Sequence, residues 1–371
     1  MQEITTLYES FSSSTAELRE NIRAKFRIND LKSFNDVVLF GAQNLGLKFL
    51  DYFKKIGVEI SFFSDNDQNK WGKKIHGIEV IPPTKIKGNQ IVIITSQYLK
   101  EIYYQLEEQD LKQIIPYYVL SFIYPNIFPN SFYQYKIETF HKFKNQIEQV
   151  FGMMSDQLSK EVFLSFLRFR FSLLPHDLPS FCENQYFPGD FWQLKDNEIF
   201  LDLGAFDGDT FKEFLMVTKG NFNSYVALEP DKVNFGKFLS NISSKYKQKV
   251  FVFCKGAGAK NSKLGFSQLG QMDSYIDEAS SEKVEIITVD ELSKQYLFTT
   301  IKVDVEGYEN QVLIGAKNAI QKLTPKIAIS VYHKTSDLWE IPLKVLKINP
   351  DYKFYLRHHS HDIYDTVLYA V

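Results

Sequence analysis

EIFLDLGAFDGDTFKEF, residues 198–214, has the pattern of a buried strand, a glycine turn and the start of a helix. Turns of this kind bind nucleotides, because a helix N-terminus and a glycine backbone let a ligand approach closely. Acids crowd this turn: Asp202 comes two residues before Gly204, and an aspartate stands on each side of Gly208. These carboxylates would repel a dinucleotide pyrophosphate, so the turn favours a positively charged ligand without phosphate.

S-adenosylmethionine (SAM) has that charge, since it carries an ammonium and a sulfonium. Asp202 at the strand tip complements these charges, and Glu229, which ends the next strand, could accept hydrogen bonds from both ribose hydroxyls. Asp207 and Asp209 taken singly are equally explained as acids favoured at a helix start. The residues predicted to bind this cofactor are Asp202, Gly204, Ala205, Asp207, Gly208, Glu229, Gly256 and Ala257.

The order of strand and helix patterns predicts an α/β protein with two units. Residues 1–120 contain three buried strands and a glycine turn, which predicts a smaller Rossmann-like domain. Residues 121–196 are predicted to be a linker and helical connector, because the stretch from Ile115 to about residue 130 holds three prolines and no clear period. Residues 197–371 contain five strand patterns separated mostly by helices, then two more strands, which predicts seven strands with a terminal antiparallel hairpin.

Three later segments are informative together: IKVDVEGYENQVLIGA, KIAISVYHKTSDLWEIP, and FYLRHH followed by DTVLYA. In this order they resemble the FkbM-type family of SAM-dependent methyltransferases, over residues 183–371. The resemblance implies a seven-stranded Rossmann-like methyltransferase fold and O-methylation, commonly of sugars or secondary metabolites. It also implies that Tyr186 and Phe187 of QYFPGD flank the cofactor. Many relatives have a Glu just before the histidine after the fifth strand, whereas this chain has VYHK.

The ends of the fourth and fifth strands are predicted to face the transferred methyl group, because ligands bind beyond the carboxyl ends of parallel strands. Asp304 ends the fourth strand and His333 follows the fifth, so both are candidate catalytic bases for an acceptor hydroxyl. A divalent metal held by Asp304, Glu306, Glu309 and His333 is an open alternative. The candidate substrate residues are Glu306, Tyr332 and His358.

RHHSHD, residues 357–362, places three histidines within four positions, as some metal sites do. We predict a loop between the last two strands here instead of a metal site. No Asn-Pro-Pro-Tyr follows the fourth strand, and motifs of that type hold an amine or base nitrogen. Its absence from the sequence disfavours N-methylation of nucleobases.

The N-terminal unit has a looser glycine turn, VVLFGAQNLG, without an acid before Gly41. Gly41 and Gly46 could therefore accept a nucleotide phosphate, with Asp65 on the ribose. Gripping a nucleotide-linked sugar, packing against a partner and binding nothing are all open roles for this unit. Two alternatives for the whole chain follow: a nicotinamide-dependent sugar-nucleotide oxidoreductase that uses this unit, and a non-catalytic binding protein on a SAM-type fold.

The composition of the chain limits the classes of binding partner that we expect. The formal net charge of −2 over 371 residues provides no general field for nucleic acid. The most apolar long segment carries Glu161, Arg168 and Arg170, which predicts a buried helix and not a membrane span. Two distant cysteines and the absence of a secretory signal predict a cytoplasmic location. The expected partner is a small-molecule or sugar acceptor, and the sequence does not indicate the oligomeric state.

Overall fold

The computed structural model describes residues 2–9, 11–267, 275–276, 280 and 282–371. The chain divides into two compact units, both of them α/β as predicted. Unit 1 comprises Met1–Asn145, Phe163–Ser180 and His361–Ile363, and unit 2 comprises Gln146–Val162, Phe181–Ser360 and Tyr364–Val371. This division differs from the predicted boundaries at residues 120 and 196, because each unit takes segments from distant parts of the sequence.

A six-stranded sheet forms the centre of unit 1. Its strands are β1 (Val37–Phe40), β2 (Ile60–Ser64), β3 (Lys74–Ile75), β4 (Ile78–Ile81), β5 (Ile91–Ile94) and β6 (Gln113–Pro116). They lie in the order β3-β4-β2-β1-β5-β6, and each neighbouring pair is parallel except β3 and β4. Every residue of β1 and β5 is buried, because apolar runs in the middle of a parallel sheet are covered on both faces.

The helices that accompany unit 1 include one that corrects the predicted linker. They are α1 (Gln2–Glu9), α2 (Thr15–Lys25), α3 (Asn44–Lys55), α4 (Leu99–Glu107), α5 (Tyr117–Ile123), α6 (Ile137–Lys142), α7 (Lys144–Met153) and α8 (Gln157–Ser172), of which the last two contribute to both units. Every residue of α5 is buried, and Pro116 stands at its N-cap. A helix buried on all sides shows no apolar period, and a proline at a helix start leaves its hydrogen bonds intact.

Unit 2 is built on the predicted seven strands. All strands of this unit, in chain order, are β7 (Ile199–Leu203), β8 (Ser224–Leu228), β9 (Val250–Phe253), β10 (Gly256–Ala257), β11 (Ser262–Ser267), β12 (Tyr275–Ile276), β13 (Lys283–Ile287), β14 (Thr300–Val303), β15 (Lys326–Ser330), β16 (Phe354–His358) and β17 (Thr366–Ala370). The main sheet has the order β16-β17-β15-β14-β7-β8-β9. Strands β15 to β9 in this order are parallel, and β16 and β17 form the predicted antiparallel hairpin.

A second, four-stranded sheet in unit 2 has the order β10-β13-β11-β12. The sequence did not predict it, because two of its strands have only two residues each and show no alternating pattern. The helices of this unit are α9 (Asp209–Val217), α10 (Lys232–Asn241), α11 (Val289–Leu292), α12 (Glu309–Gly315), α13 (Lys317–Leu323) and α14 (Asp337–Ile348). Within the described ranges, no helix has the length and apolar character needed to cross a bilayer.

The strand β7 ends in a contact that only glycine permits. Gly204 has a φ of +80°, and a Cβ added there would lie 1.8 Å from the carbonyl oxygen of Asp304. Side chains rarely adopt this backbone conformation, and the obstacle is backbone that cannot rotate away. The close approach therefore joins the ends of two central parallel strands, β7 and β14.

Gly204→Ala should lower the free energy of unfolding by about 2–5 kcal/mol, through positive-φ strain plus the clash with the Asp304 carbonyl. The matched control is Gly236→Ala in α10, where an added Cβ meets nothing within 4 Å. That change should leave stability equal or raise it by about 0.5–1 kcal/mol. Urea unfolding of both variants measures the difference, and equal stabilities would contradict this account of the turn.

Candidate active site

Four neighbouring parallel strands, β8, β7, β14 and β15, bring the main predicted site residues to one edge of the sheet. Glu229 follows β8, Gly204 follows β7, Asp304 follows β14, and His333 lies three residues after β15. The carboxyl ends of parallel strands meet at the same edge, and ligands bind there in open α/β sheets. The structure therefore groups residues that lie more than 100 positions apart in the sequence.

Asp202 forms a buried ion pair that the sequence analysis missed. Its Oδ1 is 3.1 Å from Lys302 Nζ, and the two side chains are 0% and 3% exposed. Lys302 also donates to the Gly204 carbonyl at 2.6 Å, and Tyr225 Oη donates to Asp202 Oδ2 at 2.5 Å. Asp202 was predicted as a counter-charge for the cofactor, but its carboxylate is already matched by a lysine. A signal was available, because a lysine in a buried strand requires an acid at a neighbouring position.

Glu229 binds the backbone of the glycine turn. Its Oε2 accepts from Phe206 N at 2.8 Å and its Oε1 from Asp231 N at 2.9 Å. Burial raises the pKa of Glu229 to about 7, against the lowering effect of these amides. The carboxylate therefore fixes the turn between β7 and α9, and it changes charge near neutral pH.

The other predicted cofactor residues lie around that turn or after β9. Ala205 is fully buried, and Gly208 has a φ of +88° at the N-cap of α9. Asp207 is partly exposed, and its Oδ1 lies 3.8 Å from Lys212 Nζ. Gly256 and Ala257 form β10, where a Cβ on Gly256 would lie 2.8 Å from Ile286 Cδ1. Direct contact of these residues with a cofactor remains a prediction.

His333 lies among three carboxylates. Its Nδ1 is 2.9 Å from Glu309 Oε1, and its Nε2 is 3.3 Å from Glu306 Oε2 and 3.6 Å from Asp304 Oδ1. The imidazole is 4% exposed, whereas Asp304 and Glu306 are 20% and 33% exposed. Glu309 also accepts from the amides of Val305 and Gly307, at 3.1 and 3.2 Å. One buried ring is thus held from both nitrogens, with its Nε2 side toward the more exposed acids.

The charges in this group bear on the predicted base. Burial opposes protonation of His333, but Glu309, Glu306 and Asp304 raise its pKa well above the ordinary value. This shift favours the protonated imidazole, and an imidazolium cannot accept a proton from a hydroxyl. Burial acts to raise the pKa of Asp304, yet Lys302 and His333 lower it overall. These shifts favour Asp304 over His333 as the base, and a catalytic role for either residue stays a prediction.

Tyr186, which the resemblance placed beside the cofactor, and Asp365, which the sequence analysis did not name, both interact with Asp304. Tyr186 Oη donates to Asp304 Oδ2 at 2.7 Å, and Lys302 Nζ lies 5.1 Å from the centre of the Tyr186 ring. Tyr186 and its neighbour Phe187 both pack in the core of unit 2. Burial, followed by the charge of Asp304, raises the pKa of Asp365 to about 7. Asp365 precedes β17, and its distance along the chain hid it from motif analysis.

Tyr332 and the three histidines of RHHSHD have different surroundings in the structure. Tyr332 is 8% exposed, with its ring centre 4.1 Å from that of His333. His358 is fully buried and its Nδ1 lies 2.8 Å from Thr366 Oγ1, so the proposed border with substrate is not visible here. His359 contacts the Cys182 carbonyl and the Tyr369 hydroxyl, and His361 pairs with Glu101 in unit 1. Among the described residues, the group suited to a metal is Asp304, Glu309 and His333, without these three histidines.

The N-terminal turn is tightly packed. Gly41 has a φ of +118°, and a Cβ on Gly46 would lie 2.0 Å from the Gly41 carbonyl oxygen. Asp65 Oδ2 accepts from Ala42 N at 3.0 Å and pairs with Lys70 Nζ at 2.7 Å. The acid predicted to bind ribose is therefore engaged with the turn itself and with a lysine.

Comparison with known proteins identifies a family and a similar fold. The family model described as methyltransferase FkbM domain matches residues 202–359. No curated protein matches the sequence. The crystal structure of methyltransferase FkbM from Methylobacillus flagellatus KT is similar, with a TM-score of 0.72 and 20% identity over 96% of this chain and 99% of that chain. This likeness confirms the predicted fold.

Two other solved structures are similar over a smaller share of the chain and have lower TM-scores. Aeropyrum pernix fibrillarin, solved with natively bound SAM, has a TM-score of 0.31 and 12% identity over 48% of this chain and 69% of that chain. Precorrin-6y C5,15-methyltransferase from Geobacter metallireducens GS-15 has a TM-score of 0.32 and 12% identity over 48% of this chain and 82% of that chain. These two carry no weight in the assignment.

Lys302→Met should reduce stability by about 3–5 kcal/mol, because it leaves the Asp202 carboxylate buried without its cation. Adding Asp202→Asn to that variant should restore part of the loss, since the remaining group is neutral. Urea unfolding of the single and double variants measures both effects. A double variant less stable than Lys302→Met would show that the two residues are not coupled in this way.

Proposed function

We propose that the methyltransferase FkbM domain in residues 202–359 uses SAM to methylate a hydroxyl of a sugar, glycan precursor or secondary metabolite. The observation that carries this proposal is the acid-rich edge of the seven-stranded sheet. Asp304, Glu306, Glu309 and Asp365 interact there around one protonated imidazole. An excess of negative charge at that edge suits a cofactor that carries a sulfonium and an ammonium, and it opposes a dinucleotide pyrophosphate.

The cofactor would bind over the turn between β7 and α9. Glu229 already orders this turn through the amides of Phe206 and Asp231. Each carboxylate oxygen accepts more than one hydrogen bond, so its remaining lone pairs can take the ribose hydroxyls. Gly204 and Gly208 belong to the same turn, and both have a positive φ. Asp202 would act from behind, through Lys302 and the Gly204 carbonyl.

Methyl transfer requires an acceptor oxygen aligned with the methyl carbon and a group that takes its proton. We assign that group to Asp304, which is ionised, partly exposed and oriented by Tyr186. The O–H proton passes to the carboxylate while the oxygen forms a bond to the methyl carbon. Bound SAM would supply the methyl group and would leave as S-adenosylhomocysteine, with the electron pair of the carbon–sulfur bond on sulfur. His333 contributes positive charge beside Asp304 and fixes its orientation.

The hydroxyl class rests on the resemblance of the late motifs to FkbM-type enzymes, which act commonly on sugars and secondary metabolites. In the oxidoreductase alternative Asp65 would bind the ribose, but its carboxylate already holds the Ala42 amide and Lys70, and no observation favours this alternative. A thermal shift screen with SAM, S-adenosylhomocysteine, NAD and NADP in parallel separates the alternatives. Stabilisation by NAD or NADP but not by SAM would overturn the proposal, and no shift with any of the four would indicate a non-catalytic scaffold.

Glu229→Gln should weaken SAM binding by about 1–3 kcal/mol, because one acceptor oxygen for the ribose is replaced by a donor. Binding to the wild-type protein should also strengthen by roughly tenfold between about pH 6 and pH 8. The pKa of Glu229 is about 7, and only the ionised fraction would bind well. Isothermal calorimetry measures both effects. Glu285→Gln, at an exposed carboxylate paired with surface lysines, is the control. Wild-type affinity in Glu229→Gln would remove this residue from the cofactor site.

Asp304→Asn should retain SAM binding but reduce turnover by about 10²–10⁴-fold, the usual effect of losing a general base. In the wild-type protein, activity should persist into mildly acidic solution. The pKa of Asp304 lies below its usual value, so the carboxylate is protonated only at lower pH. Release of S-adenosylhomocysteine, measured with a panel of sugar and sugar-nucleotide acceptors, reports turnover. Near-normal turnover in Asp304→Asn would exclude it as the base and direct attention to Asp365.

A further inference from the structure

We propose that Tyr186 is the positioning residue for Asp304, and that its hydroxyl fixes Oδ2, the carboxylate oxygen that takes the proton of the acceptor hydroxyl. This inference rests on the proposed function, in which Asp304 is the base. It adds which of the two carboxylate oxygens reacts and how that oxygen is held in place. Tyr186 lies 118 residues before Asp304 in the sequence, so the fold alone brings the two side chains together.

The two carboxylate oxygens of Asp304 have different surroundings. Oδ1 is buried, and His333 Nε2 lies 3.6 Å from it. Oδ2 accepts a hydrogen bond from Tyr186 Oη at 2.7 Å. Because Oδ1 is buried, an acceptor can reach this carboxylate only at Oδ2. A carboxylate oxygen accepts more than one hydrogen bond, so Oδ2 can bind the acceptor hydroxyl while Tyr186 stays in place.

The Tyr186 hydroxyl is held as a donor to Asp304. Gln185 Nε2 donates to Tyr186 Oη at 3.1 Å, so the phenol oxygen accepts one hydrogen bond and donates the other. Burial, followed by the charge of Asp304, raises the pKa of Tyr186 well above its ordinary value. The phenol therefore keeps its proton near neutral pH, and it cannot itself take the proton of the acceptor.

The backbone of Tyr186 has an unusual conformation. Its φ is +67°, and Asn184, two residues earlier, has a φ of +58°. Asparagine tolerates this left-handed region, whereas a bulky aromatic residue rarely occupies it. Neighbouring groups hold the tyrosine there: its amide donates to Tyr369 Oη at 3.3 Å, and Lys302 Nζ lies 5.1 Å from the centre of its ring. Conformations of this kind persist where the surroundings impose them, and they are concentrated at functional sites.

Tyr186→Phe tests the inference, because it removes the hydroxyl and retains the ring over Lys302. Turnover should fall about 10–100-fold, since a misdirected base slows proton removal. The affinity for SAM and the KM of the acceptor should stay within about twofold of wild type, because the hydroxyl acts on the reacting oxygen and not on binding. A purely structural tyrosine would instead weaken binding of both ligands together with stability.

The matched control is Tyr352→Phe in the same unit. Tyr352 is 7% exposed and Tyr186 is 6% exposed, and the Tyr352 hydroxyl donates to the Pro325 carbonyl, away from the candidate site. This variant also loses one buried hydrogen bond, but it should retain wild-type turnover. Thermal unfolding of both variants shows whether the two losses affect stability alike.

A double variant, Tyr186→Phe with Asp304→Asn, tests whether the hydroxyl acts through the carboxylate. It should be no slower than Asp304→Asn alone, because a positioning residue has nothing to contribute once its partner no longer acts as a base. Release of S-adenosylhomocysteine with the acceptor panel measures turnover, and calorimetry measures SAM binding on the same samples.

Wild-type turnover in Tyr186→Phe would overturn the inference. So would a loss of turnover matched by an equal loss of SAM affinity or an equal rise in acceptor KM, and so would independent losses that multiply in the double variant. Near-normal turnover in Asp304→Asn would refute the base of the proposed function and this inference with it. Impaired turnover in Asp304→Asn with normal turnover in Tyr186→Phe would refute the inference alone.

Discussion

The pairing of Lys302 with Asp202 is the constraint on which the arrangement of unit 2 depends. The two residues are direct neighbours in the register of β14 and β7, so both side chains leave the sheet on the same face. A shift of the pairing by one residue would place the lysine on the opposite face of the sheet from the Asp202 carboxylate. Buried ion pairs add little net stability, but breaking one is expensive. The pair therefore favours one register of β7 and β14. That register determines where Gly204 and Asp304, the residues that follow these strands, lie relative to each other.

Close backbone contacts at two glycines also shape the site. The Gly204 backbone contacts the Asp304 carbonyl, and α12 approaches the strand region in a similar way. A Cβ on Gly315 would lie 2.1 Å from the Gly258 carbonyl oxygen. Because α12 begins at Glu309, this close approach also brings the acid that holds His333 Nδ1. Backbone packing at a distance thus controls the geometry around the imidazole, and a bulky residue at 315 would disturb the acids without touching them.

The sequence predicted those features that depend on local patterns. The strand tips at Glu229 and Asp304 were found because parallel strands place their carboxyl ends at one edge. Lys302 is hard to find because it lies within an otherwise apolar strand pattern, and Asp365 because Asp304, whose charge acts on it, lies 61 residues earlier. The error at residues 115–130 has a different cause. Prolines at element ends and in flexible linkers look alike in sequence, and burial on every side removes the helical period of α5.

The short segment His361–Ile363 has a consequence for synthesis of the protein. It belongs to unit 1 although it lies between β16 and β17, and its Asp362 accepts hydrogen bonds from Tyr117 and Tyr133. Asp362 is made 229 residues after Tyr133. A chain that emerges from the ribosome N-terminus first cannot satisfy these two buried hydroxyls until nearly all of unit 2 has been made. Unit 1 therefore begins first in the sequence, but its last segment is made only after most of unit 2, and a nascent chain carries an incomplete unit 1 until then.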